Sequence, residues 1–253
     1  NKLNKLILLI TLGVGFLGNV LAASSKTLSF ATEATYPPFE VVASTGILQG
    51  FDVDIANAIC NHLKVKCVFI NQPFDSLIPN LNMDKFDAII AAMNITADRA
   101  KSVDFTNAYY KNTASFVAKN KTNFTLNKAG LKGKVIGVQQ GTTFLQYLKK
   151  TYGDSVTVET YASAQSAFID MASGRIDAVL GDSPIMQQWL NEHGKGQFHF
   201  VGKPVYDATY FGAGYGIAVK KGNTATLKEI NQGLSAIEKD GTLAKIQNKY
   251  FSK

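Results

Sequence analysis

The most informative part of the chain is the run Asp87-Ala-Ile-Ile-Ala-Ala-Met-Asn-Ile-Thr-Ala-Asp-Arg99. Its apolar residues are typical of a short buried strand, and Arg99 follows just past the carboxyl end of that strand. Only two of the 26 basic residues are arginines, Arg99 and Arg175. Because a guanidinium grips a carboxylate through two parallel hydrogen bonds, Arg99 predicts a site for a small anion. Thr96-Ala-Asp98 is also an ordinary helix start, so a surface arginine on a short helix is the alternative.

Strand-like and helix-like segments alternate along the chain around this run. The alternation predicts an α/β fold in which helices cover a sheet. The predicted order is strand 28–31, helix 51–63, strand 67–70, helix 74–83, strand 86–91, strand 114–118, strand 135–139, helix 142–151, strand 156–158, helix 164–173, strand 176–180 and helices 224–238 and 240–250.

Two parts of this series match each other. Phe74-Asp-Ser-Leu-Ile-Pro-Asn-Leu, followed by Lys85-Phe-Asp-Ala-Ile-Ile90, aligns with Gln165-Ser-Ala-Phe-Ile-Asp-Met, followed by Arg175-Ile-Asp-Ala-Val-Leu180. Every α/β protein repeats helix-turn-strand units, but here each unit also has the order basic, apolar, Asp, Ala. The match predicts two similar lobes and makes Arg175 a structural turn residue. Two lobes imply a cleft, and α/β folds bind ligands at the carboxyl ends of their strands.

Residues 1–22 have the features of a secretory signal peptide. Lys2 and Lys5 precede an apolar run, and Val20-Leu-Ala22 has the small-residue pattern of a cleavage site. No cysteine stands at that site and no later segment approaches the roughly 20 apolar residues that span a bilayer, so we expect an exported protein without a stable membrane anchor. The net charge of +7 is spread over single lysines and lysine pairs. This pattern is typical of a solvated surface and not of a nucleic-acid-binding face.

Cys60 and Cys67 are the two cysteines of the chain. An even number of cysteines in an exported protein favours a disulfide, which here would join the end of a helix to the next strand. Two buried free thiols are the alternative. The spacing does not suit a zinc site, and of the histidines only His62 lies nearby.

Polar groups follow three of the predicted strands. Strand 135–139 leads to Gly141-Thr-Thr143 at a helix start, where free N–H groups and the helix dipole favour an anion. Strand 176–180 leads to Asp182, which would hold an ammonium group or cap the next helix. The first strand ends in Glu33-Ala-Thr-Tyr-Pro-Pro-Phe39, where the prolines stiffen the turn. These groups predict a cleft site for a small molecule that carries both charges.

Six motifs, in order and together with the cysteine pair, resemble the periplasmic polar amino-acid-binding proteins of ABC importers, solute-binding protein family 3. The similarity is greatest to the arginine and the lysine/arginine/ornithine binders. It rests on Glu33-Ala-Thr-Tyr-Pro-Pro-Phe39, Gly50-Phe-Asp-Val-Asp54, Phe74-Asp-Ser-Leu-Ile-Pro79, Asn94-Ile-Thr-Ala-Asp-Arg99, Gln140-Gly-Thr-Thr143 and Lys249-Tyr-Phe251.

The resemblance implies a two-lobe α/β fold of the type II periplasmic-binding-protein class, with the ligand in the interlobe cleft. Lobe one would comprise residues 26–112 plus 207–253, and lobe two residues 113–206. Two hinge strands would cross between the lobes near 111–116 and 203–210.

The resemblance also implies a role for each site residue. Arg99 and the N–H groups of Asn94 and Thr143 would bind the ligand α-carboxylate. Asp182 and the carbonyl of Ala92 would bind the α-ammonium. The rest of the ligand would be contacted by Tyr36 and Phe74 on its two sides, Glu33 at its far end, and Gln140 and Thr142 on the wall of lobe two. The sequence departs from many relatives at Ala91, Ala92 and Asn94, where they have Ser, Gly, Thr or Asp, and at Phe144, where several have Gln.

The function that the resemblance implies is capture of a cationic L-amino acid, above all arginine, in the periplasm, for delivery to an ABC permease. Cation–π contacts with two aromatic rings contribute about 0.5 to 2 kcal/mol each, and Glu33 would neutralise the buried charge. A neutral polar ligand such as glutamine is one alternative, because acidic residues at this position also occur in its binders. A dehydratase-like enzyme on the same fold is another, with Glu33 as its acid, and a surface-interaction protein is a third. We expect no enzyme activity, no cofactor or metal, no nucleic-acid partner and a monomer. The histidines, His62, His193 and His199, lie outside the predicted cleft.

Overall fold

The computed structural model describes residues 26–194 and 196–252. The predicted signal peptide lies outside the described residues. The strands of the described part are β1 (Thr27–Thr32), β2 (Thr35–Tyr36), β3 (Glu40–Val42), β4 (Leu48–Gln49), β5 (Lys66–Asn71), β6 (Ala88–Ile89), β7 (Val103–Phe105), β8 (Ala114–Lys119), β9 (Lys134–Gln139), β10 (Val156–Tyr161), β11 (Ala178–Asp182), β12 (Phe198–Val205) and β13 (Ala218–Lys220). The helices are α1 (Phe51–Leu63), α2 (Leu77–Asn82), α3 (Phe144–Tyr152), α4 (Ala164–Ser173), α5 (Ser183–Trp189), α6 (Ala208–Phe211), α7 (Thr224–Lys239) and α8 (Thr242–Phe251).

Ten of these strands form two sheets of five strands with the same plan, and β2, β3 and β4 form a small antiparallel sheet. The orders are β5-β1-β6-β13-β7 and β10-β9-β11-β8-β12. In the first, β1 pairs in parallel with β5 and β6, and in the second, β9 pairs in parallel with β10 and β11. An antiparallel strand, β13 or β8, then follows. The α/β two-lobe fold predicted from the sequence is confirmed, and we call the part built on the first sheet lobe one and the part built on the second lobe two.

The repeated Asp of the sequence makes the same contact in both lobes. Asp87 accepts the backbone N–H of Ser29 at 2.8 Å through Oδ2, and Asp177 accepts the N–H of Val135 at 2.8 Å through Oδ2. In each lobe the carboxylate therefore ties the start of the third parallel strand to the central one. Arg175, in the turn between α4 and β11, makes an ion pair with an acid of α4.

The predicted disulfide between Cys60 and Cys67 is confirmed. Cys60 lies in the last turn of α1, and Cys67 lies in β5. Helix α1 buries Ile55 and Ile59, one turn apart, on its sheet-facing side. It ends where Lys64 adopts a left-handed conformation and donates to the last carbonyls of the helix. The bridge therefore fixes the turn through which the chain re-enters the first sheet.

The chain passes between the two sheets after β7 and after β12, in the regions where the hinge strands are predicted. An aromatic cluster packs beneath these crossings. Phe251, at the end of α8, lies 4.9 Å from Phe51 and 5.0 Å from Tyr110 between ring centroids. Tyr110 also stacks on Tyr215 at 5.4 Å. The C-terminal helix is thus anchored against the crossings and not against a lobe tip. The exact lobe boundaries, 26–112 plus 207–253 and 113–206, stay predictions.

Candidate functional site

A cavity that is partly open to solvent lies between the two sheets. Parallel strands bring the residues that follow them to one edge, and here the edges of both lobes face each other. Lobe one and the small sheet of β2, β3 and β4 contribute Tyr36, Phe74, Ala91, Ala92, Asn94 and Arg99, and lobe two contributes Gln139, Thr142, Thr143, Phe144 and Asp182.

Arg99 forms one end of this cavity. Its guanidinium donates to the carbonyl of Asn94 at 3.0 Å and to the carbonyl of Gly141 at 3.2 Å, so it contacts both lobes. The guanidinium carbon lies 5.5 Å from the centroid of the Phe74 ring. Burial lowers the pKa of Arg99 to about 10, against the opposing effect of the Asp182 charge. The side chain therefore stays cationic at neutral pH.

The start of α3 lies beside Arg99. Thr143 is the N-cap of this helix and makes no side-chain cap hydrogen bond there. Its hydroxyl donates instead to the carbonyl of Tyr210 at 2.6 Å, and the hydroxyl of Thr142 donates to the carbonyl of Gln139 at 2.6 Å. The first N–H groups of a helix have no partner within it. Together with the guanidinium, they give this end of the cavity a positive potential that suits a carboxylate.

Asp182 supplies the negative charge of the cavity. It is the last residue of β11 and is 4% exposed. Its carboxylate accepts hydrogen bonds from the Tyr36 hydroxyl and from the Asn112 amide. Burial raises the pKa of Asp182 to about 6, and these two hydrogen bonds and the charge of Arg99 limit the rise. Asp182 is consequently ionised at neutral pH and suited to an ammonium group.

Glu33 does not reach the cavity surface. Its carboxylate accepts from the hydroxyl of Thr35 and, at 3.2 Å, from the amide of Gln139. Burial raises the pKa of Glu33, and these two hydrogen bonds oppose the rise. The sequence predicts direct contact between Glu33 and the ligand tail. In the structure Glu33 is bonded to the Gln139 amide, and Gln139, not Glu33, lines the cavity.

Gln140, predicted to line the wall of lobe two, lies at the rim of the cleft. Its amide donates to Asp75 at 2.7 Å in an exposed contact between the lobes. Gln139 lines the cavity in its place. Successive strand side chains point to opposite faces, so a shift of one residue at the end of β9 exchanges the inward and outward positions. A polar residue that ends a buried run, as Gln139 ends Ile136–Val138, is the signal that would have identified it.

The other predicted residues lie together at the cavity: Tyr36, Phe74, Ala92, Asn94, Arg99, Thr142, Thr143 and Asp182 all line it. Ala91 and Phe144 line it as well, and Asn112 supports Asp182 from behind. Through residues 26–194 and 196–252, no group of three or more His, Cys, Asp or Glu side chains is arranged to hold a metal ion. Nor does the described part contain a helix long and apolar enough to span a membrane.

Known proteins match this chain over nearly its whole length. The profile of the bacterial extracellular solute-binding proteins, family 3, matches residues 28–253. The ABC transporter arginine-binding protein 1 of Escherichia coli is 43% identical over 230 residues, 91% of this chain and 93% of that protein. The L-arginine-binding protein of Pseudomonas aeruginosa is 42% identical over 253 residues, 99% of this chain and 97% of that protein. A solved periplasmic binding protein of Salmonella typhimurium with high arginine specificity has a TM-score of 0.84 at 38% identity, covering 90% of this chain and 100% of that one.

Proposed function

The chain belongs to the bacterial extracellular solute-binding proteins of family 3, and we propose that it captures a cationic L-amino acid, above all arginine, and delivers it to an ABC permease. The relatives named above bind arginine in other bacteria. The proposal for this protein depends on whether its own cavity suits the same ligand.

The separation of charge in the cavity is the observation that carries the proposal. Arg99 and the start of α3 supply positive potential, and Asp182 supplies a negative charge near enough to interact with that of Arg99. An α-amino acid carries a carboxylate and an ammonium on one carbon, so it satisfies both groups at once. Arg99 and the N–H group of Thr143 would bind the carboxylate, and Asp182 and the carbonyl of Ala92 the ammonium. Hydrogen bonds to charged groups contribute about 1.5 to 3 kcal/mol each, enough to orient the ligand.

The remaining wall supports a long cationic side chain. Tyr36 and Phe74 present aromatic surface, on which a guanidinium or the methylenes of a lysine pack. The Glu33 carboxyl group accepts from the side-chain amide of Gln139, which lines the cavity. Because the amide nitrogen of Gln139 donates to Glu33, its carbonyl oxygen would be the atom that accepts a hydrogen bond from the ligand tail.

The same pair supports a second candidate. A neutral polar amino acid such as glutamine would bond directly to the Gln139 amide, with Glu33 serving only to orient it. Arginine and glutamine differ in charge, so their relative affinities decide between the candidates.

The site would bind its ligand without transforming it. The relatives are transport binding proteins, and the charged residues that line the cavity, Arg99 and Asp182, are both assigned to the α-groups of the ligand. We also propose export through a signal peptide at residues 1–22, a monomer in the periplasm, and closure of the lobes on the ligand.

Calorimetric titration tests the proposed function. Protein refolded without ligand is titrated with arginine, lysine, ornithine, histidine and glutamine, and with prephenate and arogenate for turnover. We expect arginine to bind most tightly, with cationic amino acids above glutamine and no conversion of prephenate or arogenate. Tightest binding of glutamine would establish the neutral-ligand candidate, and turnover would overturn the binding function.

A further inference from the structure

Two carboxyl groups lie together in the core behind the cavity wall. Glu40, in β3, is 1% exposed, and Asp52, in the first turn of α1, is 0% exposed. The two groups are within hydrogen-bonding reach of each other. Neither contacts the proposed ligand, so ligand charge does not explain them.

The hydrogen bonds of this pair are incomplete if both groups are ionised. Asp52 Oδ2 accepts the backbone N–H of Ala92 at 2.6 Å and the hydroxyl of Tyr109 at 2.9 Å. Asp52 Oδ1 and Glu40 Oε2 are buried without a donor. Buried acceptors without donors are rare in folded proteins, and two carboxylates in contact repel each other. A protonated carboxyl group has an O–H donor, so a single proton would satisfy both orphaned oxygens.

We propose that Glu40 and Asp52 share one proton, and that the pair positions the backbone of Ala92 at the cavity wall. Ala92 has a φ of 45°, in the left-handed region that non-glycine residues seldom adopt. Such a conformation persists only where neighbouring contacts hold it, and the Asp52 carboxylate holds the Ala92 N–H. The carbonyl of the same residue is a proposed partner of the ligand ammonium, so this second half of the inference rests on the proposed function.

The surroundings favour retention of the proton. The titratable groups that face the pair are Tyr109, Tyr36, Glu33 and Asp182, all of them acids. Burial raises the pKa of Glu40 well above its usual value, and the charge of Asp52 raises it further. Burial also raises the pKa of Asp52 to about 6, against the hydrogen bonds from Ala92 and Tyr109. Burial and these like charges therefore favour the protonated pair in the folded protein over the ionised groups of the unfolded chain.

Infrared spectroscopy tests the shared proton without any ligand. The wild type should show the C=O stretching band of a protonated carboxylic acid at neutral pH, and Glu40→Gln and Asp52→Asn should lack it. Both substitutions keep a hydrogen-bond donor between the side chains, so both should fold. A wild type without the band overturns the proposal, as does a band that both variants keep.

The pH dependence of folding supplies a second readout. A raised pKa in the folded state stabilises the protein below the usual pKa of the acid, and this stability is lost as pH rises towards the folded value. From the ordinary glutamate value of 4.5 upward, the free energy of unfolding should therefore fall more steeply for the wild type than for Glu40→Gln. Parallel curves would contradict the shared proton.

The pH dependence of arginine binding tests the positioning role. The wild-type affinity should fall at alkaline pH, where the pair loses its proton, more than that of Glu40→Gln, in which the donor cannot be lost. Identical profiles would show that the pair does not act on the site. A wild type that binds no arginine at any pH would overturn the proposed function and the positioning role together, while the infrared band would still decide the shared proton.

Discussion

The Tyr36 hydroxyl donates a hydrogen bond to the Asp182 carboxylate, joining the small sheet to the end of β11 in lobe two. Both side chains are buried. The contact places the Asp182 carboxylate against an aromatic ring that belongs to the other side of the cleft. Asp182 therefore carries the negative charge of the site and also joins lobe two to the small sheet.

Protonation of Asp182 should weaken ligand binding. Its pKa is raised to about 6, chiefly by burial, and the ligand ammonium needs the ionised form. The affinity for arginine should be constant from neutral pH down to that value and fall below it, by about tenfold for each pH unit. Calorimetric titration over a pH series measures the profile. Asp182→Asn should bind weakly with a flat profile, and a wild-type affinity unchanged through pH 6 would exclude Asp182 as the ammonium partner.

Arg99→Lys should weaken arginine binding by about 1.5 to 3 kcal/mol, because a point charge replaces two directed hydrogen bonds to a carboxylate. Arg175→Lys is the matched control, since Arg175 pairs with an acid of α4 outside the cavity. It should leave the dissociation constant unchanged. Equal affinities of Arg99→Ala and the wild type would remove Arg99 from the site.

Gly141→Ala should prevent full closure of the lobes. Gly141 has a φ of +79°, and a Cβ atom there would lie 2.8 Å from the Cα atom of Asp75 in lobe one. Gly133→Ala controls for backbone strain, because Gly133 has a φ of +73° and nothing within 4 Å of the added atom. Both variants should lose about 1 to 2 kcal/mol of unfolding free energy. Gly141→Ala alone should lose arginine affinity and the ligand-induced compaction seen by small-angle scattering; matching results for the two variants would refute the close contact.

Reduction of the Cys60–Cys67 disulfide should lower stability and leave specificity intact. The residues are 7 positions apart, and closing so short a loop contributes roughly 2 to 3 kcal/mol in the chain-entropy model. The bridge lies between α1 and β5, away from the cavity-lining side chains. Thermal unfolding with and without reductant, and titration of a Cys60→Ser/Cys67→Ser variant, measure both effects. A changed order of ligands after reduction would mean that the bridge shapes the site.

The elements that the sequence predicts best are the repeated helix-turn-strand units and the long helices. Helix 51–63 and helix 164–173 are predicted with the bounds that the structure has, because each has a clear apolar period and a glycine next to one end, Gly50 before the first and Gly174 after the second. Strand 86–91 is predicted longer than β6, which pairs only at Ala88–Ile89. The apolar run continues through Ala92, but the left-handed turn there takes it out of the sheet.

The site residues that the sequence predicts best are those whose position depends only on where a strand ends. Arg99 and Asp182 follow strand ends, so their position at the cleft follows from the topology. Gln139 and Gln140 differ by one residue, and only the register of β9 decides which of them faces inward. Whether Glu33 contacts the cavity depends on the rotamer of Gln139 in the opposite lobe. Glu33 and Gln139 are far apart in the sequence and belong to different lobes, so no local sequence pattern predicts their contact.

The comparison of arginine with citrulline tests the central claim most directly. Citrulline has nearly the shape of arginine but no charge on its side chain. A difference between the two affinities therefore reports the interaction of that charge with Glu33 and the aromatic wall. The wild type should bind arginine more tightly, and Glu33→Gln should reduce that preference while Arg99 and Asp182 preserve a residual affinity for both. Equal dissociation constants of arginine and citrulline in the wild type would contradict the account, because the cavity would then recognise an α-amino acid without sensing the charge of its side chain.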